Sequence, residues 1–535
     1  MTRSPRTTAL RVPAVAAGSL VALLALSACS APAGGTASNA DPVSGGTFSL
    51  AINDDPGSLN PFTGVSLVQR AMVTFGYDSL AYTTPEGEVV PFLAESWETT
   101  PTSIAYTLKD GITCADGTPF TAETAAANVA YQANADNGTF WFGSNVTADM
   151  TATAEGNVVT VTSAANNPFL LQGTGSIEMV CQAGLDDPST LTDTTNGTAL
   201  YALTASSPGS DYTYTKRDGY TWGPDDVTSD TEGLPDEIEA RVITDEATAA
   251  NLLISGELNA ASVIGADRQR LDAAGLDTEG VLNPIGEMLF NERADRPTAD
   301  VRVRQALTLS LDRDAVGELV TDGNAVDSVS LVNQIPLTCV AGGPDWTLPD
   351  TDVEAAGELL DEAGYALGSD GLRTKDGEPL TIRFLYDAGT PSHGAAAEEV
   401  QQEWNELGIT TDLVAEDSAG WSTDLYQSYD WDTGFIQLAP SSPVVLSLFF
   451  LGETSENGGY NFMGVENPEY NALATQALSA GSADEACGIW KQAESELIER
   501  VDVFPLAETE SPMYVKGATF ERPGTVAPTT IRMQG

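Results

Sequence analysis

Three segments decide the fold of this chain: PGSLNPF at residues 56–62, YDSLAYTTPEGEVVPFLAESWE at 77–98 and YTLKDGITCADGTPFTAE at 106–123. In the first segment, Gly57 permits a positive φ angle and Pro61 moves Asn60 out of the helical region, so a turn is predicted. A helix is then predicted over residues 63–80, because four apolar residues recur on one side of it: Val65, Val68, Met72 and Phe75.

The other two segments are predicted to form short strands joined by turns. Residues 86–88 make a hairpin-type turn before a short strand at 89–91, and residues 104–108 alternate apolar and polar side chains as a half-buried strand does. A further turn at 116–119 leads to Thr121, which is expected to cap a new helix. Short strands and helices alternate in the same way further along the chain, which indicates an α/β protein.

The order of these segments resembles one family, the extracytoplasmic solute-binding proteins of peptide-type ABC transporters (family 5), which include oligopeptide, dipeptide and nickel binders. The resemblance covers nearly the whole chain after residue 45, although GTALY at 197–201 stands where the family carries a GTGPY turn. It implies an α/β, periplasmic-binding-protein-like type II fold, in which a hinge joins two lobes and one lobe carries an inserted subdomain. Five more segments resemble the family: GYTWG at 219–223, GELN at 256–259, DVRVRQAL at 300–307, LLDEAGY at 359–365 and YDWDTGF at 429–435.

The resemblance also implies how the chain is divided, and a length of 535 residues is sufficient for two or three domains. A strand–helix–strand pattern over residues 380–414 predicts parallel strands in the second lobe. The expected parts are a lipoprotein signal peptide at 1–28, a flexible tether at 29–46, a first lobe formed by 47–80, 194–280 and 505–535, an inserted subdomain at 81–193, and a second lobe at 281–504.

Two helices of the second lobe have recognisable start signals. Asp300 is a good N-cap for the helix that follows it, and Thr351 with Glu354 is predicted to form a capping box. The arginines of the first helix, Arg302 and Arg304, are expected to pair with neighbouring acidic residues at the surface. An anion-binding site is the alternative.

The composition excludes several classes of partner. Hydrophobic residues make up 42% of the chain and charged residues 19%, as in a soluble globular protein, and the formal net charge is −54. Nucleic acid and anionic lipid both attract basic surfaces, so neither is an expected partner. We interpret the acidity as a solvated surface that favours solubility, with a role in cation binding as the alternative.

The N-terminus resembles the leader of a bacterial lipoprotein. Three arginines precede an apolar stretch at 14–28 that is too short to span a membrane comfortably, and Leu-Ser-Ala-Cys at 26–29 matches the lipobox. We therefore expect lipidation at Cys29 and a location outside the cytoplasm, anchored to the outer face of the cell membrane. Cleavage of the leader would remove the three arginines and no acidic residue, which changes the formal net charge from −54 to −57.

Four further cysteines are present: Cys114, Cys181, Cys339 and Cys487. An even number in an exported chain predicts disulfide bonds, and three pairings are possible. We favour Cys114–Cys181 and Cys339–Cys487, since each pair then falls within one predicted domain. The spacing predicts no metal site, because the sequence contains neither a CxxC motif nor a Cys/His cluster.

The sequence contains no constellation that would support catalysis. His393 is the only histidine, so a Ser-His-Asp hydrolase would need it as the base, and no G-x-S-x-G motif accompanies it. The glycine-rich run at 173–176 lacks the full phosphate-loop pattern. We predict a binding protein rather than an enzyme, with no cofactor, and regard a secreted hydrolase as the least favoured alternative.

The resemblance places a ligand in a cleft between the two lobes, where aromatic side chains supply contact area and a few polar groups supply orientation. For the aromatic residues, ordinary core packing is the alternative interpretation. The candidate contacts are Phe62, Gln69, Trp222, Trp431, Phe435 and Gln437.

One departure from the family bears on the ligand. Oligopeptide-binding members carry an aspartate after the crossing strand that pairs with the free α-amine of the peptide, whereas FIQLAPSSP at 435–443 contains no acid. A buried ammonium without a carboxylate partner would be costly, which disfavours a free-amine peptide. Capped or cyclic peptides, peptide-like siderophores and oligosaccharides remain open, and nickel is disfavoured by the single histidine.

The expected function is therefore capture of a small solute, a peptide or peptide-like compound, by a monomer that delivers it to the permease subunits of an ABC transporter. A surface sensor built on the same fold is an alternative that the sequence does not separate from a transport receptor.

Overall fold

A computed structural model describes residues 41–535, apart from positions 65, 86, 266, 329, 334–337, 340–345 and 439. The predicted signal peptide, the predicted lipidation site at Cys29 and most of the predicted tether lie outside these residues. Within the described ranges, no helix combines the length and the apolar character needed to cross a membrane.

The strands of the described residues run in the following order: β1 (Thr47–Ile52), β2 (Ala81–Thr83), β3 (Val89–Pro91), β4 (Ala94–Thr100), β5 (Ser103–Leu108), β6 (Thr151–Glu155), β7 (Val158–Thr162), β8 (Tyr201–Ser207), β9 (Asp211–Lys216), β10 (Glu237–Val242), β11 (Ala260–Ser262), β12 (Asp277–Asn283), β13 (Glu287–Phe290), β14 (Ala325–Val326), β15 (Ala366–Leu367), β16 (Arg373–Lys375), β17 (Glu378–Pro379), β18 (Thr381–Asp387), β19 (Thr410–Glu416), β20 (Thr433–Phe435), β21 (Val503–Pro505), β22 (Glu508–Val515), β23 (Ala518–Thr519) and β24 (Arg532–Met533).

The α-helices are α1 (Leu67–Val73), α2 (Ala122–Gln132), α3 (Leu170–Ser176), α4 (Gln182–Asp186), α5 (Glu246–Ser255), α6 (Arg268–Ala273), α7 (Val301–Leu309), α8 (Arg313–Val320), α9 (Val353–Glu362), α10 (Pro391–Glu406), α11 (Ser418–Thr423), α12 (Pro443–Phe450), α13 (Pro468–Leu478) and α14 (Ala483–Glu499).

The large sheet has the strand order β12-β22-β11-β1-β10-β9-β8, and β14 also pairs with β22. Its centre, β1, alternates buried and more exposed residues, with Phe48, Leu50 and Ile52 buried in the core. This alternation buries one face of the strand.

The small sheet has the order β19-β18-β20-β13-β21. Strands β18, β19 and β20 are parallel to their neighbours in this group, as the pattern over 380–414 predicts, and β13 is antiparallel to both β20 and β21. Helix α10 covers the sheet through Trp404, whose ring packs 5.7 Å from Phe384 and whose indole N–H donates to the carbonyl of Leu307 in α7 at 2.9 Å. The sheet and the two helices therefore share one core.

A third sheet, in the order β4-β5-β7-β6, is antiparallel throughout and belongs to the segment predicted to be an inserted subdomain. Ile104 and Tyr106 of β5 are fully buried, as the alternation predicts. The Thr121 hydroxyl accepts the amide N–H of Thr124 at the start of α2, so Thr121 caps this helix as expected.

The two favoured disulfide bonds are confirmed. Cys114 is bonded to Cys181 across 67 positions of the sequence, and Cys339 is bonded to Cys487 across 148 positions. Each bond closes a long loop, which reduces the conformational freedom of the unfolded chain.

Two local predictions are wrong in their bounds. The helix predicted over 63–80 spans only Leu67–Val73, because Ser66 caps its start by accepting the amide N–H of Gln69 and Thr74 forms its C-cap. The predicted capping box is replaced by a simple cap, in which the carboxylate of Asp352 accepts the amide N–H of Ala355 at 2.9 Å.

Two short segments carry the chain directly between the large and small sheets. Residues 284–286 join the end of β12 to the start of β13, and residues 506–507 join the end of β21 to the start of β22. The two segments lie side by side, since the amide of Gly286 donates to the carbonyl oxygen of Ala507 at 2.9 Å. We call 284–286 and 506–507 the crossing segments.

Candidate ligand-binding site

The directions of the strands place their carboxyl ends on both sides of the crossing segments. In the large sheet, β11 and β12 are antiparallel to β22, and β1 is parallel to β11 and β10, so these four strands run towards the edge of the sheet at which β22 begins, and β12 reaches it. In the small sheet, β18, β19 and β20 end where antiparallel β13 begins. Ligands of open α/β sheets bind at the carboxyl ends of strands, so these two carboxyl edges form the candidate site.

Two of the predicted contact residues lie at the carboxyl edge of the small sheet. Gln437 follows β20, is exposed, and donates from its side-chain amide to the carbonyl oxygen of Ile285 in a crossing segment at 3.2 Å. Phe435 ends β20 and is buried, with ring centroids 4.9 Å from Phe384 and 5.3 Å from His393. Gln437 is therefore accessible to a solute, and Phe435 supports the backbone beneath it.

Two other predicted contacts, Phe62 and Gln69, are buried near the start of the chain. The ring of Phe62 packs 4.6 Å from that of Tyr131, and the side-chain amide of Gln69 donates to the carbonyl oxygen of Asn60 at 3.4 Å. Packing of a buried aromatic ring explains the position of Phe62, and a hydrogen bond to a buried carbonyl oxygen explains that of Gln69. The structure does not bring them to the carboxyl edge of the small sheet.

The remaining two predicted contacts are tryptophans that are buried inside separate cores. The indole N–H of Trp222 donates to Asp78 Oδ2 at 3.1 Å and helps to satisfy a buried carboxyl group, whose pKa burial raises to about 6 despite opposing hydrogen bonds from Trp222 and Thr198. Trp431 precedes β20 at the end remote from the carboxyl edge and packs near Phe462. In this conformation both side chains are packing residues.

Sequence reasoning missed two buried carboxyl groups beside the crossing segments. Glu287 opens β13 and accepts the amide N–H of Leu438, and burial raises its pKa to about 8. Glu508 opens β22, and its Oε1 atom accepts from the Ser328 hydroxyl at 2.8 Å and from the Asn333 amide at 3.4 Å. The available signal was an acidic residue next to an apolar run, as in GEMLF and PLAE.

His393 also lies beside this edge, in the first turn of α10, and is buried. Burial lowers its pKa, and the charge of Asp387 at the end of β18 acts in the opposite direction. Its ring contacts Phe435, so its position is explained by packing at the base of the site.

A comparison with protein families identifies the chain. The model described as "Bacterial extracellular solute-binding proteins, family 5 Middle" matches residues 88–459, which is more than half of the 535 residues. The chain belongs to this family. The prediction made from the sequence segments is confirmed, and the protein is an extracellular solute-binding protein rather than an enzyme.

Relatives of this solute-binding protein are similar along most of its length. The oligopeptide-binding protein OppA of Bacillus subtilis is 25% identical over 533 residues, which is 91% of this chain and 92% of OppA. A substrate-binding protein of Microbacterium hydrocarbonoxydans, solved with 4-hydroxybenzoate hydrazide, is 26% identical with a TM-score of 0.66, covering 91% and 99% of the two chains.

The solved structures also establish the fold. NikA of Brucella suis, solved with Fe(III)-EDTA, has a TM-score of 0.76 at 21% identity and covers 91% of this chain and 100% of NikA. The predicted α/β, two-lobed periplasmic-binding fold is therefore confirmed for this solute-binding protein.

Two surface cavities of the protein lie away from the carboxyl edges. One, of about 600 Å³, is lined by polar residues of α10 such as Gln401, and the other, of about 470 Å³, includes Tyr82 and Phe520. Neither is lined by the crossing segments, so we base the candidate site on strand direction. Among the described residues, no group of three or more histidine, cysteine, aspartate or glutamate side chains is placed to hold a metal ion.

Proposed function

We propose that this protein captures a small solute, a peptide or peptide-like compound, between the facing carboxyl edges of its large and small sheets, and delivers it to the permease of an ABC transporter. The observation that carries the proposal is the arrangement around the crossing segments. These segments join two sheets, and the carboxyl edges of both sheets lie on the side of the crossing segments. Similarity over nine-tenths of the chain to a protein named for oligopeptide binding supports the choice of ligand class.

The mechanism is closure about the crossing segments. A solute that touches both carboxyl edges stabilises the closed form by its differential affinity for that form over the open one. The backbone hydrogen bond between Gly286 and Ala507 holds the two crossing segments together, so both sheets turn about one shared axis. Closure would bring the solute against Gln437 and the backbone supported by Phe435.

The division into lobes forms part of this proposal. The large sheet supports a first lobe from 47–80, 194–280 and 505–535, the small sheet a second lobe from 281–504, and the third sheet an inserted subdomain at 81–193. Strand β14 departs from this division, because it lies within 281–504 in the sequence and pairs with β22 of the large sheet.

The anchor is proposed from the leader alone. Acyl chains on Cys29 would hold the protein at the outer face of the cell membrane, since two or more chains bind stably where one is marginal. Residues 30–41, rich in Ala, Gly and Ser, would link that anchor to the folded body. The tether predicted to reach residue 46 is shorter, because the amides of Val43 and Gly45 donate to the carbonyl oxygens of Met533 and Leu234 in the folded body. The protein would meet the permease as a monomer.

A thermal-shift screen of the purified protein against peptides, oligosaccharides and metal chelates tests the proposal. A solute at 100 times its Kd should stabilise the protein by about 2.7 kcal/mol and raise its melting temperature. We expect shifts with peptides or peptide-like compounds, and a smaller shift for Gln437→Ala. The matched control is Gln402→Ala, which removes an exposed amide of α10. Shifts confined to oligosaccharides or chelates would refute the peptide ligand.

A further inference from the structure

Two buried acceptor atoms next to the crossing segments lack a hydrogen-bond donor. Glu508 is 1% exposed and Asn333 is 9% exposed, and neither Glu508 Oε2 nor Asn333 Oδ1 has a partner among the described residues. The Asn333 amide donates to Glu508 Oε1 at 3.4 Å, so the two side chains are direct neighbours. Buried polar atoms are nearly always satisfied in folded proteins, so two acceptors without a donor among the described residues mark a candidate position for a donor from a solute.

The charges around this pair have the same sign. The charged side chains that act on Glu287 are Glu508 and Glu494, and the one that acts on Glu508 is Glu494. Glu287 and Glu508 are buried and Glu494 is half-buried, and burial disfavours the charged form of each carboxyl group. Lys491 opposes that effect at Glu494, whereas the charged groups that act on Glu287 and Glu508 are other glutamates. A positively charged donor at this position would relieve both the repulsion and the unmet hydrogen bonds.

Glu508 differs from Glu494 in the number of its carboxylate oxygens that accept a hydrogen bond from the described residues. Glu494 accepts from the indole of Trp346 at 2.8 Å, from the amide of Leu331 at 3.1 Å and from the hydroxyl of Ser330 at 3.1 Å, so both its oxygens are occupied. Glu508 keeps one oxygen free. It also opens β22 directly after a crossing segment, and therefore lies at the base of the proposed cleft.

We propose that the solute carries a protonated amine or guanidinium group, and that Glu508 Oε2 and Asn333 Oδ1 accept its hydrogen bonds. This inference rests on the proposed function, because it names a chemical group of the solute that the cleft would take. It changes the expectation drawn from the sequence, since the acid missing from residues 435–443 is replaced by one that arrives from β22. The high negative charge of the chain favours the approach of such a cation.

The first test identifies what the protein retains from a defined mixture. The probe is an equimolar library of tetrapeptides, half with free and half with acetylated amino termini, each with and without one lysine or arginine, and bound compounds are read by mass spectrometry. We expect free-amine, lysine or arginine members to be retained over their neutral counterparts. Retention of neutral or acidic members alone would overturn the inference and leave the proposed function standing. A library from which nothing is retained would refute both.

The second test uses Glu508→Gln, which keeps the shape of the side chain and removes its charge. Loss of a charged hydrogen bond should weaken binding of a retained cationic peptide about 10- to 100-fold, measured by calorimetry. Without ligand, this variant should melt at or above the temperature of the unsubstituted protein, because an unpaired buried carboxyl group has been removed. That second readout shows that weaker binding does not result from a failure to fold.

Glu510→Gln is the matched control, since Glu510 lies two residues further along β22 and is exposed. Its affinity for the same peptide should change less than about twofold, because exposed charges are screened by solvent and salt. If Glu508→Gln binds the cationic peptide as tightly as Glu510→Gln does, a bound water satisfies the two acceptors and the inference is wrong.

Discussion

Replacement of Arg304 by methionine should destabilise the second lobe strongly. The guanidinium of Arg304 is fully buried, and it lies 2.7 Å from Asp502 Oδ1 and 3.2 Å from Glu292 Oε2, both also buried. It donates further hydrogen bonds to backbone carbonyl oxygens of Val501 at 2.8 Å and Thr298 at 2.9 Å. Methionine would fill much of the same volume and supply none of these donors.

The size of the effect follows from what is left behind. Removal of one partner of a buried ion pair costs about 3–5 kcal/mol, because the remaining charge is buried without compensation. Arg500 is 3.5 Å from Asp502 and 3.8 Å from Glu292 and replaces only part of the lost interaction. The matched control is Arg302→Met in the same helix, where Arg302 is partly exposed and pairs with Asp300, so a much smaller loss is expected.

Urea unfolding followed by tryptophan fluorescence and circular dichroism measures both variants, with the free energy of unfolding obtained by linear extrapolation. A pH series adds a second readout. Burial and Asp502 raise the pKa of Glu292, and Arg304 opposes that rise. The folded pKa of Glu292 is about 9 in the parent, and without Arg304 it rises further. Both proteins therefore lose stability alike as the pH rises from about 4.5 to about 9. Above about pH 9 only the variant continues to lose it, so the deficit should grow there.

A loss for Arg304→Met no larger than that of Arg302→Met would refute the reasoning. So would a deficit that shrinks as the pH rises. Either result would mean that the buried acids find other partners when the arginine is absent.

Three further outcomes are expected. In the parent, the raised pKa of Glu287 makes the free energy of unfolding fall by about 1.4 kcal/mol per pH unit as the pH rises from 4.5, the unfolded pKa, to about 8, the folded pKa. Glu287→Gln should abolish this contribution. An unchanged pH dependence in urea titrations would contradict the prediction. Gly434→Ala should lower the free energy of unfolding by about 1–3 kcal/mol or more in the same assay, because its Cβ would overlap a carbonyl oxygen of β18. The control Gly488→Ala, in open space on α14, should raise it by about 0.5–1 kcal/mol. Equal effects of the two substitutions would contradict the overlap. Loss of the Cys114–Cys181 bond in a double serine variant should cost about 4 kcal/mol, from closure of a 67-residue loop, and a melting temperature unchanged from that of the parent would be the opposing result.

Much of the fold was accessible from local patterns. The buried alternation of β5 and the caps at Thr121 and Asp300 were each visible within a few residues, because side-chain period and capping chemistry are local properties. Both disulfide pairings were favoured for a coarser reason, since each pair falls within one predicted domain. The ends of helices were harder, and α1 is shorter than predicted at both ends.

The candidate site was predicted only in part. Of the residues named as candidate contacts, the structure places Gln437 after β20 beside a crossing segment, whereas Trp222 and Trp431 lie within cores. A contact between Gln437 and a solute stays a prediction. An aromatic residue in a sequence carries no sign of whether it will meet solvent or another side chain. That choice depends on which helix or sheet covers it.

The sequence by itself determined the family, the alternation of strands and helices, and the absence of a catalytic motif. Only the tertiary structure decided that Arg304 is buried rather than paired at the surface, and that Glu287 and Glu508 meet beside the crossing segments. The partners in each group are separated by about two hundred positions, and their environment arises when strands from distant parts of the chain pair within the large sheet and within the small sheet. Local propensity does not specify such contacts, because burial and charge pairing are properties of the assembled layers.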